Sequence, residues 1–535
     1  MVKLLFKFVF WMALGVGSFT SSHGQYAEVD QVIDGWRRQT QVVLQPDEFG
    51  RWAVLRSAKM IAQRAQTASV HHLVEAERAL YDSVLTLSSN RSYMPQRRTT
   101  QEVNAEVQKM LSCLQNLNPS SPCDLTGLNY DSRLYTTSMG YGIKGLLPTG
   151  AQLEMKHSLQ NSVHNLSMPA NIHESRGNLT ITLTQPLLKG RGREFIEADL
   201  QVAEREQAIE LQNLSRQTLD TLGEAVATYW QLYQAEQVLH WRNEAVRLAK
   251  QAVHESRIRL ANGSANALEI KEAQLALSVR DVELTRARQK HIELQARVRG
   301  VMNLSGIDYQ HVSFTTGGAP IALTDMSNQS VDTEAALFSW PSYRVAQIKE
   351  EQERIRFEHA DRLRSADLNF TVSALANPYA SPGARDAMTQ IGSTPYKGWS
   401  VGLNYSRPIG NGESQSKFEA QSVKLMAASD VVNGERVAWT NELVARTAQY
   451  STARKELESR REAVKLRQEA LNMQREYLMA GRSRTSQILE REDQLIDSVL
   501  QEIEGYVNLR LAELQLQAIH GTVLRQFGIT LSEQH

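Results

Sequence analysis

Side chains capable of chemistry are thinly spread along this chain. His71, His72 and Glu75 fall on a predicted helix, where Glu75 shares a face with His71 or His72. A metal needs at least a third ligand and none is near, so they read as a surface group. Cys113 and Cys123 stand ten positions apart in a Pro/Ser/Asn-rich segment. They form either a small loop-closing disulfide, which an exported chain would favour, or two free thiols in a loop. A group of charges follows Gly481: Arg482, Arg484, Glu490 and Arg491 lie close in sequence, with Gln487 among them. Taken alone it is a solvated helix end, whose i,i+3 and i,i+4 pairs are worth ~0.2–0.5 kcal/mol each. No Gly-rich phosphate loop, nucleophile elbow or His-Glu-x-x-His pattern occurs, so neither an enzyme nor a bound cofactor is expected.

The elements that would carry these residues are mostly long helices. Residues 193–262 contain no proline, and Gly223 is the only glycine between Arg193 and Leu260. A helix of about 70 residues is ~105 Å long at 1.5 Å per residue. A second helix is predicted over about 265–303, and the pair recurs over about 414–480 and 485–527. Unbroken patterns of this length mean coiled coil or helical repeat. Gly263 and Gly481 suit the left-handed residue that ends a helix before a tight reversal.

Between the helices apolar and polar residues alternate. Ala151, Leu153, Met155, His157 and Leu159 interleave with polar residues, as do Leu179, Ile181 and Leu183. Leu368, Phe370, Val372 and Ala374 follow the same rule, and so do Trp399, Val401, Leu403 and Tyr405. Period-two alternation marks strands with one apolar face, long enough to cross a membrane when tilted.

The chain repeats itself. Glu244-Ala245-Val246-Arg247-Leu248 matches Glu462-Ala463-Val464-Lys465-Leu466, and Gly263, Ile270 and Glu272 match Gly481, Ile488 and Glu490. Each pair is offset by 218 residues (481 − 263), whereas Pro186 and Pro408, at the strand-to-helix junctions, are offset by 222 (408 − 186). A duplicated strand–helix–helix unit is the simplest account.

Residues 1–24 read as a signal peptide: Lys3 and Lys7, an apolar stretch over 4–16, and Ser22-His23-Gly24 before Gln25. The first repeat then spans 25–320, with strands over about 83–188, including extra material, and long helices over 193–303. The second spans 321–535, with strands over about 367–408 and long helices over 414–527. Lys plus Arg equals Asp plus Glu at 59 each, which argues against a nucleic-acid partner.

Several motifs together resemble the TolC-type outer-membrane factors. They are Gln185-Pro186-Leu187-Leu188-Lys189-Gly190, Tyr229-Trp230-Gln231-Leu232 within 225–235, Leu268-Glu269-Ile270 with Glu272-Ala273-Gln274 after Gly263, and Trp340-Pro341-Ser342-Tyr343. The likeness covers about 52–527. It implies an α plus membrane β-barrel fold: a homotrimer whose 12-stranded barrel, four strands per chain, sits in outer-membrane lipid on a periplasmic α-helical coiled-coil tunnel. It implies an exit duct of a tripartite efflux or type I secretion system, fed by an inner-membrane pump through a periplasmic adaptor (membrane fusion) protein. In the family, acids after the second-repeat glycine form a ring that constricts the tunnel. Glu490 matches one of them, Gln487 stands where another acid is usual, and Arg482 and Arg484 lie beside them. The sequence departs from the family in having about 100 residues between Asp82 and Pro186, which hold Cys113, Cys123 and the turn Pro148-Thr149-Gly150. That excess is an extra hairpin or an extracellular loop. The competing reading is a periplasmic coiled-coil scaffold or interaction protein whose strands are soluble hairpins.

Overall fold

The computed structural model describes residues 22–115, 131–164, 172–263, 266–304, 307–317, 332–380, 386, 390, 393–480 and 482–529. Most of the expected signal peptide, Cys123 and Gly481 lie outside the described residues. The chain divides into two compact units.

One unit comprises His71–Glu206 and Glu350–Ala428. Its strands are β2 (Val84–Arg97), β3 (Asp131–Leu146), β4 (Gln152–His164), β5 (Ile172–Pro186), β7 (Asp367–Ala376), the two-residue β8 (Tyr379–Ala380) and β9 (Lys397–Ser406). Helix α4 (Thr100–Gln115) lies between β2 and β3 in sequence. The sheet order is β2-β3-β4-β5-β7-β9, every join antiparallel, with β8 beside β5.

This corrects the expected strand count. Among the described residues the chain supplies six long strands rather than four, because the extra material between Asp82 and Pro186 adds strands to the same sheet. The count of twelve strands for three copies rested on four per chain and falls with it. The first two strands carry residues that argue against strands: Pro95 in β2, and Gly140, Gly142 and Gly145 in β3. Pro95 is tolerated because β2 is an edge strand, with only β3 beside it.

Register keeps the two faces of the sheet chemically separate. One row reads Leu85, Ile143, Met155, Ile181, Ala374 and Trp399 across the six strands. The row beside it on the same face reads Gly145, Leu153, Leu183, Val372 and Val401. The opposite face carries rows such as Thr86, Gly142, Lys156, Thr180 and Leu375, and Gly140, Ser158 and Asn178 beside Ser88. The apolar face is open: Trp399 is 79% exposed and Leu87 78%.

Four helices stand side by side at the end of this sheet where β5 and β9 finish: the ends of α3 (Ala58–Arg78) and α9 (Pro341–Leu363), and the starts of α6 (Ala198–Ala261) and α10 (Gly412–Met479). Arg78 pairs with Glu204, joining α3 to α6, and Gln352 donates to the Val202 carbonyl at 3.1 Å, joining α9 to α6. Phe357 and Phe418 join α9 to α10, their rings 5.0 Å apart. Pro186 is the last residue of β5, and Pro408 lies two residues past β9. After each proline the chain turns through left-handed residues, Gly190 and Gly192 in one case and Gly410 and Asn411 in the other. The four-residue α5 (Arg193–Ile196) intervenes before α6, so the helix expected from 193 is interrupted at Glu197.

The other unit comprises residues up to Val70, Gln207–Lys349 and Ser429–His535. It holds α1 (Ser22–Trp36), α2 (Pro46–Arg56), α7 (Ala267–Val301), α8 (Thr333–Ser339), α11 (Thr485–Ile519) and α12 (Val523–Gln526), with the greater parts of α6 and α10. Strands β1 (Gln41–Leu44) and β6 (Ser313–Thr316) pair in parallel. The exposed edge of β6 is covered by side chains. Gln295 accepts from Phe314 N–H at 2.8 Å and donates to its carbonyl, and Glu236 accepts from Thr316 N–H at 3.1 Å. Around this sheet packs a core of aromatic residues, with Trp36, Phe49, Tyr229, Tyr343, Trp439 and Tyr506 all buried. Among the described residues no helix is long and apolar enough to cross a membrane.

The β3–β4 turn is tightly docked. Gly150 has φ +87°, and a Cβ there would come within 2.3 Å of the Gly190 carbonyl oxygen. Gly192 N–H donates to the Thr149 carbonyl at 3.1 Å. Gly150→Ala is expected to cost about 2 kcal/mol through left-handed strain alone, read as a lowered Tm of the detergent-solubilised protein. Gly402→Ala, where nothing lies within 4 Å, should leave the Tm nearly unchanged.

Candidate functional site

The reversals between long helices place the charged residues that the sequence singles out. Gly263 ends the first reversal with φ +73°, and Asn266 caps α7 by accepting from Glu269 N–H at 3.0 Å. At the second reversal Gln487 is spent on the turn itself. Its Oε1 accepts from Arg484 N–H at 3.2 Å and from Ser483 Oγ at 3.0 Å, while Gln474 donates to Ser483 Oγ at 2.6 Å. Arg482 and Arg484 are exposed. Glu490 is exposed too, and accepts from Gln494 at 3.1 Å one turn along its own helix. The structure therefore does not join Glu490 to either arginine.

Charge is concentrated elsewhere, in a cluster built from four helices. Arg280 of α7 is 2% exposed. It donates to Asp493 Oδ1 of α11 at 2.9 Å, to the Ala245 carbonyl of α6 at 3.1 Å and to the Leu489 carbonyl of α11 at 3.1 Å. Glu492, 7% exposed, lies 3.8 Å from Arg280 and accepts from Arg475 of α10 at 3.1 Å. Arg242, three residues before Ala245 on α6, closes the group: it pairs with Glu283 at 2.8 Å and Asp497 at 3.3 Å. A buried guanidinium with this many acceptors is satisfied, and one left without them would be costly.

The sequence contains a signal for this cluster. Glu492 stands at helical spacing among the buried Ile488, Leu489, Leu495 and Ile496. Arg280 stands likewise among Ala273, Leu284 and Ala287. A charge of each sign inside an apolar stripe is the mark of two helices that pair through it.

Burial pushes the Glu492 carboxyl above the usual carboxylate range, against the pull of Arg475 and Arg280; the neighbouring Asp493 adds to the rise. Cys113, near the end of α4, is disulfide-bonded; the chain's one other cysteine, Cys123, lies outside the described residues. Among the described residues no group of three or more His, Cys, Asp or Glu could hold a metal ion.

Two outcomes follow for the cluster. Arg280→Leu leaves Glu492 buried beside a single cation and removes the tie between α7 and α11. A loss of about 3 kcal/mol is expected, the size of breaking a buried pair from one side, read by chemical denaturation. The second outcome concerns pH. Because the folded Glu492 carboxyl lies above its unfolded value, the folded state takes up its proton first as pH falls. Its contribution to stability is therefore present below the ordinary carboxylate range and lost as pH rises through the folded value. The Tm difference, wild type minus Glu492→Gln, should become more positive on acidification from neutral pH; a pH-independent difference would contradict the shift.

No protein-family model matches the sequence, and no curated protein matches it. Solved structures match over most of its length. A membrane protein from Pseudomonas aeruginosa is 13% identical with TM-score 0.63, covering 89% of this chain and 93% of that one. The outer membrane protein VceC from Vibrio cholerae is 12% identical with TM-score 0.59, covering 89% and 96%. The CmeC outer membrane channel from Campylobacter jejuni is 10% identical with TM-score 0.60, covering 91% and 90%. At these identities the likeness is one of fold.

Proposed function

We propose that this chain, which has the fold of outer-membrane channels, is itself an outer-membrane exit duct, passing substrates passively from an inner-membrane pump across the periplasm and out of the cell. The observation that carries the reading is the two-faced sheet. Six strands keep an exposed apolar face on one side and a mainly polar face on the other, in register through every join. A soluble protein would have to cover a patch of that size, whereas a membrane wall presents it to lipid. Six strands are fewer than the roughly eight that close a barrel, so the wall needs several copies. A homotrimer meets that need and fits the resemblance seen in the sequence. A periplasmic adaptor would engage the helices, and the energy source would belong to the pump, because the duct itself has only to open.

Opening is where the charges enter. The Arg280–Glu492–Asp493–Arg475 cluster holds α6, α7, α10 and α11 in one packing, the arrangement expected of a closed end. Glu490, exposed nine residues after Gly481, is free to face a bore, with Arg482 and Arg484 on the adjoining turn. Three copies of Glu490 around a narrow aperture would select ions by charge.

The test has two arms. The mature protein should sediment with the outer membrane and keep the mass of three chains in detergent; recovery as a soluble periplasmic monomer would favour a coiled-coil scaffold. In planar bilayers Glu490→Lys should raise conductance or reverse ion preference, while Glu272→Lys, its counterpart in the first repeat, should do less. Equal conductance and selectivity for wild type and Glu490→Lys would make Glu490 an ordinary solvated residue.

A further inference from the structure

We infer that the duct's wall has eighteen strands, six from each of three copies, and that it closes by pairing β2 of one copy with β9 of the next. The inference rests on the outer-membrane reading above and concerns what the hairpin β2–β3 does within it.

The hairpin belongs to the wall. β2 pairs with β3 along its full length, from Val84 opposite Lys144 to Arg97 opposite Asp131. β3 pairs with β4 from Leu134 to Leu146. The apolar rows run through it without a change of face: Leu85 and Ile143 continue Met155, and Leu87 and Tyr141 continue His157 and Leu179. On the polar face β3 packs closely against both neighbours. A Cβ at Gly140 would meet Ser88 Oγ at 2.9 Å, and one at Gly142 would meet the Met155 carbonyl oxygen at 3.2 Å. A hairpin that merely leaned on a four-stranded sheet would need neither the shared register nor these glycines.

Two edges remain open among the described residues, the outer sides of β2 and β9. An unpaired edge is not stable in lipid, where backbone groups find no water. The edges suit each other in three ways. Five successive antiparallel joins leave β2 and β9 running in opposite directions, so a β2–β9 seam is antiparallel like every other. Both strands continue the same apolar face, Leu85 being 63% exposed and Leu403 66%. The ten residues of β9 can be matched by β2 before Pro95, the residue that lacks a backbone donor, is reached. The occupant of each edge is therefore a second copy of this chain, joined head to tail in a ring. Barrel diameter grows roughly linearly with strand number, so this wall would be about one and a half times as wide as one with four strands per copy.

Cysteine pairs on the polar face test the seam. Within one copy β2 and β9 are five strand spacings apart, about 24 Å, too far for a disulfide, so any link joins two copies. Ser400→Cys is combined in turn with Thr86→Cys, Ser88→Cys and Asn90→Cys, and outer membranes are oxidised and run on a non-reducing gel. One combination should give a ladder of covalent dimers and trimers that collapses on reduction, and the single variants should give none. A ladder from Ser400→Cys with Lys156→Cys or Ser158→Cys of β4 would overturn the inference, since β4 would then be the wall's edge and the hairpin would lie outside it. Outer-membrane protein with no ladder from any β2 combination would also overturn it while leaving the duct intact. Soluble protein without ladders would remove the duct reading and the inference together.

Discussion

A β-strand turns successive side chains to opposite faces, so a slip of one residue at any join would exchange the two faces of everything beyond it. The sheet depends on all five long joins keeping their register. Leu85 and Trp399 stand at opposite ends of one row, and the four residues between them are the only link that keeps both on the apolar side. Turn geometry protects that register where the sequence is weakest. β3 alternates the apolar residues Met139, Tyr141 and Ile143 with Gly140, Gly142 and Lys144, so its polar side has few side chains to hold it in place. Its position is fixed by the docked turn at Gly150, whose neighbour Thr149 is tied to the start of the following helix segment.

The helical unit solves a different problem. α10 is exposed along most of its length, so its placement has to come from a few positions. The aromatic core around Tyr229, Trp439 and Tyr506 supplies one. The Arg280 cluster supplies another, of a different character. An apolar contact tolerates sliding, whereas a guanidinium held by two backbone carbonyls and a carboxylate admits one arrangement.

Much of this was legible in the sequence. The alternating stretches at 151–160, 179–184, 368–374 and 399–405 fall in β4, β5, β7 and β9. Their two periods, together with long stretches free of proline and nearly free of glycine, are strong physical signals. The start of β2 falls where strands were expected, from about 83, but the material after it was left open between a hairpin and a loop, because Pro95 and the glycines of β3 resemble loop residues. The charge cluster was missed for another reason. Its acid, Glu492, lies two positions beyond Glu490, inside the apolar stripe rather than among the exposed charges that follow Gly481.

The docked β3–β4 turn has a geometric consequence for the handover from sheet to helices. Because β3 and β4 are joined there, only four of the six long strands connect to helices at the end where β5 and β9 finish: β2, β5, β7 and β9. Neighbouring strands are about 4.8 Å apart, and a tilt of about 40° stretches six of them over roughly 38 Å of circumference. Four helices at about 9–10 Å spacing cover nearly the same arc. Four tilted strands would cover only about 25 Å by the same arithmetic. In the duct proposed above, the extra strands would make the two kinds of wall commensurate, so that a sheet could meet a ring of helices without either being forced to splay.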